Sequence, residues 1–317
     1  MAREKYLKNR TSLQEIISPS NKNLLSFNGK KGKVEDTCLR NSYYSVDLKK
    51  YLGGGSYGMA FDGLFWRPNR RSIKVAIKLY IEDYDPEQEI HKEVSNYLPD
   101  LVATFYMGKK CDIYNSSGVE IPSKNLSVIV MEKGISLDKY LEKLYQTKDA
   151  KKIYEVIDKT INNCIKFNEA GYLHSDIKPA NTIISLDKSR QKLGGLLIDF
   201  GMTRTFSARV PPLDALYFLL MLFKEWPWPI QNDEMLKYLA KKCKTLYTKI
   251  LEEITYAQII GCFNGSCPEP SNGSEGYAAY DIKEQLDKLL RIYNDYRRRD
   301  RRDRNPREDH RYNYTRK

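Results

Sequence analysis

The residues best suited to chemistry in this chain fall in two short runs, His174-Ser175-Asp176-Ile177-Lys178-Pro179-Ala180-Asn181 and Asp199-Phe200-Gly201. Asp176 and Asp199 carry carboxylates and Asn181 an amide oxygen, donors that suit a hard, oxygen-seeking cation. Upstream, Gly53-Gly54-Gly55-Ser56-Tyr57-Gly58 fits G-x-G-x-x-G. Glycine there lets the backbone bend tightly and bring its N–H groups against phosphate oxygens with no Cβ in the way. Next comes Ser72-Ile73-Lys74-Val75-Ala76-Ile77-Lys78, an alternating, β-branched stretch that reads as a buried strand with a lysine at its end. A backbone cradle, a buried ammonium and hard oxygen donors together suit a phosphate-bearing anion that arrives with a divalent cation.

The elements that must position these groups can be read around them. Tyr51 to Gly55 is expected to be a strand entering the glycine run, and Met59 to Phe65 the strand leaving it. A buried lysine needs a carboxylate to keep it charged and oriented. Asp85-Pro86 followed by Glu87 to Val94 reads as a helix start, with proline in the first turn and acidic residues near the positive end. Glu89 and Glu93 lie four apart on one face of that helix, and either could reach Lys78. Strands are expected over Leu101–Met107 and over Leu126–Glu132, the second apolar and ending in an acid, with a short buried strand over Leu196–Ile198 just before Asp199. Between Lys151 and Gly171, Ile153, Val156, Ile157, Ile161, Ile165 and Phe167 recur at helical spacing, which gives a long supporting helix. Pro212 to Leu220 reads as a buried helix carrying Asp214, and Cys262 to Gly276, rich in Gly, Pro, Asn and Ser, as an inserted loop.

The glycine run, Val75-Ala76-Ile77-Lys78, His174 to Asn181 and Asp199 to Gly201, in this order, resemble the motifs of the eukaryotic-type protein kinases. The resemblance covers roughly residues 48 to 225. It implies an α+β, two-lobed fold: a small lobe of antiparallel sheet plus one helix, a mainly helical large lobe, and ATP with Mg²⁺ between them. The corresponding division is a basic extension over 1–45, a kinase domain over 46–296 (small lobe 46–132, large lobe 133–296) and an Arg-rich tail over 297–317, expected to be disordered or to extend a preceding helix only in part. By the same resemblance Gly53, Gly55, Ser56, Tyr57 and Gly58 cover the phosphates, Ala60 and Ala76 line the nucleotide site, and Lys78 meets the α- and β-phosphates. Glu93 is favoured as the partner of Lys78 by its distance from the lysine, although Glu89 has the more usual distance to the next strand. Met131 would be the gatekeeper, and Glu132 to Gly134 the backbone that meets adenine. Asp176 would act as catalytic base toward the attacking hydroxyl, Lys178 would neutralise the transferring phosphoryl group, and Asn181 and Asp199 would hold Mg²⁺. His174 packs as a structural residue behind the loop.

Lys178 followed by proline resembles the serine/threonine-specific enzymes, and Asp176-Ile177-Lys178 is most similar to the casein kinase I and vaccinia-related kinase branch. The compact, divergent build with many Lys, Asn and Tyr residues resembles kinases of large DNA viruses. The implied function is a serine/threonine protein kinase acting on proteins. Three departures matter, the inserted loop over Cys262 to Gly276 being one. Ser175 stands where regulated kinases carry arginine, so a phosphorylated activation loop would lack its cationic receptor. The segment between Asp199 and Pro212 is short and lacks an Ala-Pro-Glu motif, so the platform that orients a substrate peptide is cut down. These departures keep two alternatives in view, a small-molecule phosphotransferase of the aminoglycoside or choline kinase type and a pseudokinase scaffold.

The chain of 317 residues carries a formal net charge of +12. Residues 297–317 hold nine Arg and one Lys against three Asp and one Glu, and residues 1–45 hold nine Lys/Arg against four Asp/Glu, which leaves the body close to neutral. The basic tail suits a nucleic acid or an acidic protein as partner. No stretch approaches the roughly 18 to 20 apolar residues of a membrane span, and Met1-Ala2-Arg3-Glu4-Lys5 leads into a polar segment, so an intracellular, cytoplasmic or nuclear protein is expected. The six cysteines have no paired C-x-x-C spacing for zinc, and free thiols are the simplest reading.

Overall fold

Alternating apolar and polar residues between Tyr44 and Glu132 build the largest element, an antiparallel sheet. Its strands are β1 (Arg40–Asn41), β2 (Tyr44–Gly54), β3 (Met59–Trp66), β4 (Ile73–Glu82), β5 (Phe105–Tyr114) and β6 (Glu120–Glu132), in the spatial order β1-β2-β3-β4-β6-β5. The computed structural model describes residues 40–41, 43–54, 59–82, 87–114, 120–225, 233–255 and 282–304. The chain divides into two units, residues 1–137 with 182–203, and residues 138–181 with 204–317.

In the first unit the pleat sorts side chains onto two faces. Met59, Phe61 and Phe65 of β3, Val75, Ile77 and Leu79 of β4, and Val128 and Val130 of β6 form one apolar cluster. The opposite face of β4 and β6 contributes a second, with Tyr80, Ile129 and Met131. Among the described residues of this unit the α-helix is α1 (Glu87–Tyr97). A three-stranded sheet of β7 (Gly134–Ser136), β9 (Thr182–Ser185) and β10 (Leu196–Leu197) has the order β10-β9-β7. Gly134 makes the β7–β9 approach possible, since a Cβ there would lie 2.6 Å from the Ile184 carbonyl oxygen. The strand expected over Leu101–Met107 begins only at Phe105. Leu101, Val102 and Ala103 are buried in the connector before it, where Val102 makes a single parallel bridge to Leu197; apolar composition reported their burial, not their conformation.

The second unit is helical: α2 (Leu137–Gln146), α3 (Ala150–Glu169), α4 (Leu213–Glu225), α5 (Asp233–Leu251) and α6 (Ile282–Arg304), with a small ribbon of β8 (Tyr172–Leu173) and β11 (Arg204–Thr205). Asp149 caps α3 by accepting from the Lys152 N–H at 3.1 Å. The apolar stripe foreseen for α3 is buried at Ile153, Val156, Ile157, Ile161 and Phe167. Helix α4 is apolar on all sides, and Leu213, Leu216, Phe218, Leu219, Leu220 and Leu222 are buried among α3, α5 and α6. Helix α6 continues through Arg304, so the first part of the Arg-rich run is helical. Residues 305–317, nearly all of the N-terminal extension and the loop expected over 262–276 lie outside the described residues. Cys164 and Cys243 are buried free thiols, whereas Cys111 is disulfide-bonded, against the expectation of six free cysteines.

The α+β architecture therefore matches the expectation: among the described residues one unit holds an antiparallel sheet with helix α1, and helices dominate the other.

Candidate active site

Register alone brings four expected nucleotide-site residues onto one face of the large sheet. Ala60 is opposite Lys78, and Ala76 is opposite Met131. Lys78 and Ala76 are two apart on one strand, so all four share that face. The ammonium of Lys78 sits 2.5 Å from Glu87 Oε2 and 2.7 Å from Asp199 Oδ1, and 5.3 Å from the centre of the Tyr80 ring. Burial alone would lower the pKa of this lysine, but the charges of Asp199 and Glu87, both hydrogen-bonded to it, raise it above the ordinary lysine value. Lys78 is thus a permanent cation held between two carboxylates.

The partner is Glu87, not Glu93 or Glu89. Helix α1 begins at Glu87, and its buried residues are Glu87, His91 and Val94, which fall within about 60° of one another at 100° per residue. On the same helix Glu89 and Glu93 lie roughly 200° and 240° from Glu87, and both are exposed.

His91 continues the inward face of α1. Its Nε2 is 2.9 Å from the Ala103 carbonyl oxygen, and its ring lies 4.8 Å from that of Phe200 and 5.3 Å from that of Phe105. Burial, with the nearby charge of Lys78, pushes its pKa down to about 4. The ring is therefore neutral near pH 7, and Nε2 carries the proton donated to Ala103. Phe200 is fully buried. Asp199, immediately before it, has a left-handed backbone (φ 69°), a conformation that carbon-bearing residues hold only when their surroundings fix it. The buried Phe200 and the ion pair to Lys78 do so here.

In the second unit the loop after β8 is fastened from below by Asp214 of α4. Asp214 Oδ2 accepts from the His174 N–H at 2.8 Å and from Asn168 Nδ2 at 2.6 Å, and Oδ1 accepts from the Ser175 N–H at 3.3 Å. Asn168 Oδ1 in return accepts from the Asp214 N–H at 3.1 Å. Ser175 is held at φ 63°. His174 is buried, and its Nδ1 accepts from the Asp176 N–H at 3.4 Å, a structural role. Above this support, Lys178 Nζ donates to both oxygens of Asp176 at 2.9 and 3.0 Å. Asn181 Nδ2 donates to the Asp176 backbone carbonyl at 2.9 Å and to Asp176 Oδ2 at 2.7 Å. The loop thus brings Asp176, Lys178 and Asn181 together. The amide nitrogen of Asn181 is committed to Asp176, so its oxygen is the atom it offers to a cation.

At the end of β6, Met131 is nearly buried and Glu132 is buried. The Glu132 carboxylate accepts from the Thr104 N–H and hydroxyl at 3.0 Å each, from Ser185 Oγ, and from Arg190 Nε at 3.1 Å. Gly53 ends the described part of the glycine run with Gly54, whereas Gly55, Ser56, Tyr57 and Gly58 lie outside the described residues. Strands β2 and β3 pair antiparallel as far as Gly54 opposite Met59.

Asp199 of the first unit is partly exposed and presents carboxylate oxygens, and Asn181 of the second presents an amide oxygen, each a donor of the kind Mg²⁺ prefers. Among the described residues no group of three or more His, Cys, Asp or Glu could hold a metal by itself.

Sequence reasoning missed Glu87, Asn168 and Arg190. Asn168 carried a signal: it lies four residues from Cys164 on the apolar stripe of α3, a polar residue where burial is expected. Arg190 carried none, because it stands in a polar connector without periodicity.

Residues 46–210 match the family described as protein tyrosine and serine/threonine kinase. The chain is also 26% identical over 170 residues to the "Probable serine/threonine-protein kinase gdt2" of Dictyostelium discoideum. That similarity covers 53% of this chain and 10% of the relative, so the chain spans about a tenth of the relative's length.

Proposed function

Because this chain belongs to the protein tyrosine and serine/threonine kinase family, we propose that its protein kinase activity is transfer of the γ-phosphoryl group of Mg·ATP to seryl or threonyl hydroxyls of proteins. The observation that carries the reading is Lys78 held between Glu87 and Asp199, an arrangement suited to gripping a nucleotide's phosphates. Lys178, two residues after Asp176, and the resemblance to a probable serine/threonine kinase support the acceptor class.

In this reading Lys78 contacts the α- and β-phosphates, and the backbone of Gly53 to Gly58 lies over the triphosphate. Ala60, Ala76 and Met131 flank the base, and the backbone from Glu132 to Gly134 meets adenine. Asp199 and Asn181 are the oxygen donors for Mg²⁺, which when bound offsets the negative charge of the phosphates. Asp176, clamped by Lys178 and Asn181, accepts the hydrogen bond of the attacking hydroxyl and aims its oxygen in line. Lys178 stands ready to balance charge on the transferring group. The exposed arginines Arg297, Arg298 and Arg299 on α6 suit a polyanionic partner. Among the described residues no helix is long and apolar enough to cross a membrane.

The test is transfer of labelled γ-phosphate by the purified chain onto itself, casein, basic proteins and a panel of small alcohols and aminoglycosides. Asp176→Asn and Asp199→Asn are each expected to lower turnover at least about 100-fold while the fold persists by circular dichroism. Near-normal turnover in either variant would overturn the roles assigned to it.

One observation favours a second reading, a small-molecule acceptor. The segment after Asp199 reaches α4 at Leu213 and is fastened on the way: Phe206 N donates to the Gly171 carbonyl at 2.8 Å and Val210 N to the Asn168 carbonyl at 2.9 Å. Little chain remains for a peptide platform. Label on a small alcohol or aminoglycoside and none on protein would select this reading.

A further inference from the structure

The side chain of Glu132 is the meeting point of three segments that are distant in sequence. Thr104 approaches it from the connector before β5 through both its N–H and its hydroxyl. Ser185 reaches it from the end of β9. Arg190, in the connector between β9 and β10, donates Nε to the carboxylate at 3.1 Å and sends Nη2 to the carbonyls of Pro99 at 2.7 Å and Val102 at 3.0 Å. The Glu132 backbone N–H is also taken, by the Thr104 carbonyl at 2.8 Å. The Glu132 side chain is 6% exposed and that of Arg190 21%.

A buried ion pair adds little net stability, because desolvating both charges offsets most of their attraction. What it supplies is direction. The guanidinium is a rigid fork, and its three acceptors lie on two separate segments, so it fixes where Glu132 sits relative to the connector before β5. Lys133 follows directly and is itself secured: its carbonyl accepts from the Leu186 N–H at 3.3 Å, and its ammonium is 2.6 Å from Asp62 Oδ1. Gly134 then enters β7 opposite Ser185. The backbone from Glu132 to Gly134, between the last residue of β6 and the first of β7, is thereby held through its side chains as well as through the strands that flank it.

We infer that Arg190 is a positioning residue for the nucleotide base: by anchoring Glu132 it holds the 132–134 backbone in the geometry that receives adenine. The inference rests on the reading of that backbone as the adenine contact. Arg190 does not touch the phosphates in this account, so its effect is confined to the part of ATP affinity that the base contributes.

The test compares equilibrium binding of ATP, ADP and inorganic tripolyphosphate, with Mg²⁺, to the full chain and to Arg190→Gln, Arg190→Lys and Ser185→Ala. The wild type is expected to bind ATP more tightly than tripolyphosphate; equal affinities would overturn the adenine reading itself, independently of Arg190. Given that difference, Arg190→Gln is expected to weaken ATP and ADP about tenfold and leave tripolyphosphate unchanged. In steady state it should raise KM for ATP with kcat little altered. Arg190→Lys, which keeps the charge but not the fork, should recover part of the loss, and Ser185→Ala should shift affinity in the same direction by less. ATP affinity unchanged in Arg190→Gln overturns the inference. So does parallel loss of ATP and tripolyphosphate, which marks a general structural role. Should Arg190→Gln fail to fold, Ser185→Ala decides by the same comparison.

Discussion

Three glutamates stand near the start of α1, and only one of them meets Lys78. Glu87→Gln removes a charge from the buried trio of Lys78, Glu87 and Asp199, whereas Glu93→Gln alters an exposed position. We expect Glu87→Gln to lower kcat/KM for ATP at least about tenfold and Glu93→Gln to stay within about twofold; the reverse order in steady-state kinetics would restore Glu93 as the partner. His91 supplies a pH signature. Its pKa is about 4 in the folded chain, against about 6.5 for an unperturbed histidine. The unfolded chain therefore binds the extra proton first as pH falls, so the contribution is fully present above about pH 6.5, declines between 6.5 and 4, and is lost below. The depression corresponds to about 3 kcal/mol of stability. Denaturant titrations across this window should show a slope that His91→Gln flattens, and an unchanged slope in that variant would place the titration elsewhere. Asp176, Lys178, Asn181 and Asp199 were legible in the sequence because each stands in a run whose spacing is specific. Glu87 was not, because neighbouring glutamates differ only in helical phase, and phase depends on the residue at which the helix begins.

At the scale of elements, periodicity located the strands expected up to Lys78 and up to Glu132 and the long helix α3, whereas the strand expected over Leu101–Met107 begins only at Phe105. Strand β4 ran on beyond Lys78 to Glu82, and β6 began before Leu126. Edges of this kind depend on partner strands, which a local pattern does not contain. The segment between Asp199 and Leu213 behaves as a strap. Strand β11 pairs with β8 in the register Arg204 to Leu173 and Thr205 to Tyr172, and the bonds of Phe206 and Val210 continue the attachment. A segment fastened at rest has little to gain from a phosphate, and Ser175 offers no cation to receive one. Phosphatase treatment of purified enzyme should therefore leave turnover within about twofold of the untreated value. A tenfold loss, restored by incubation with ATP, would mean that phosphorylation of Thr203, Thr205 or Ser207 completes the active form.

At the scale of the whole molecule, charge and chain path tell different stories. The arginines at the end of α6 were conspicuous in the sequence, and the helix carries them on as far as Arg304. The path was not conspicuous, since neither unit is a continuous stretch. Residues 182–203 return to the sheet-bearing unit after the chain has already contributed α2, α3 and β8 to the other. Lys78 and Asp199 are consequently 121 residues apart, a separation that makes their pairing a late, entropically costly event. During synthesis the sheet can begin to form as soon as β6 has emerged, yet at that moment its buried lysine has Glu87 alone for a partner. The ribosome must deliver Asp199 and the strands β9 and β10 before the unit is finished. A nascent chain stalled between residues 132 and 199 thus holds a sheet whose buried Lys78 lacks its second carboxylate, so the ion trio is completed in a single late step and not by degrees.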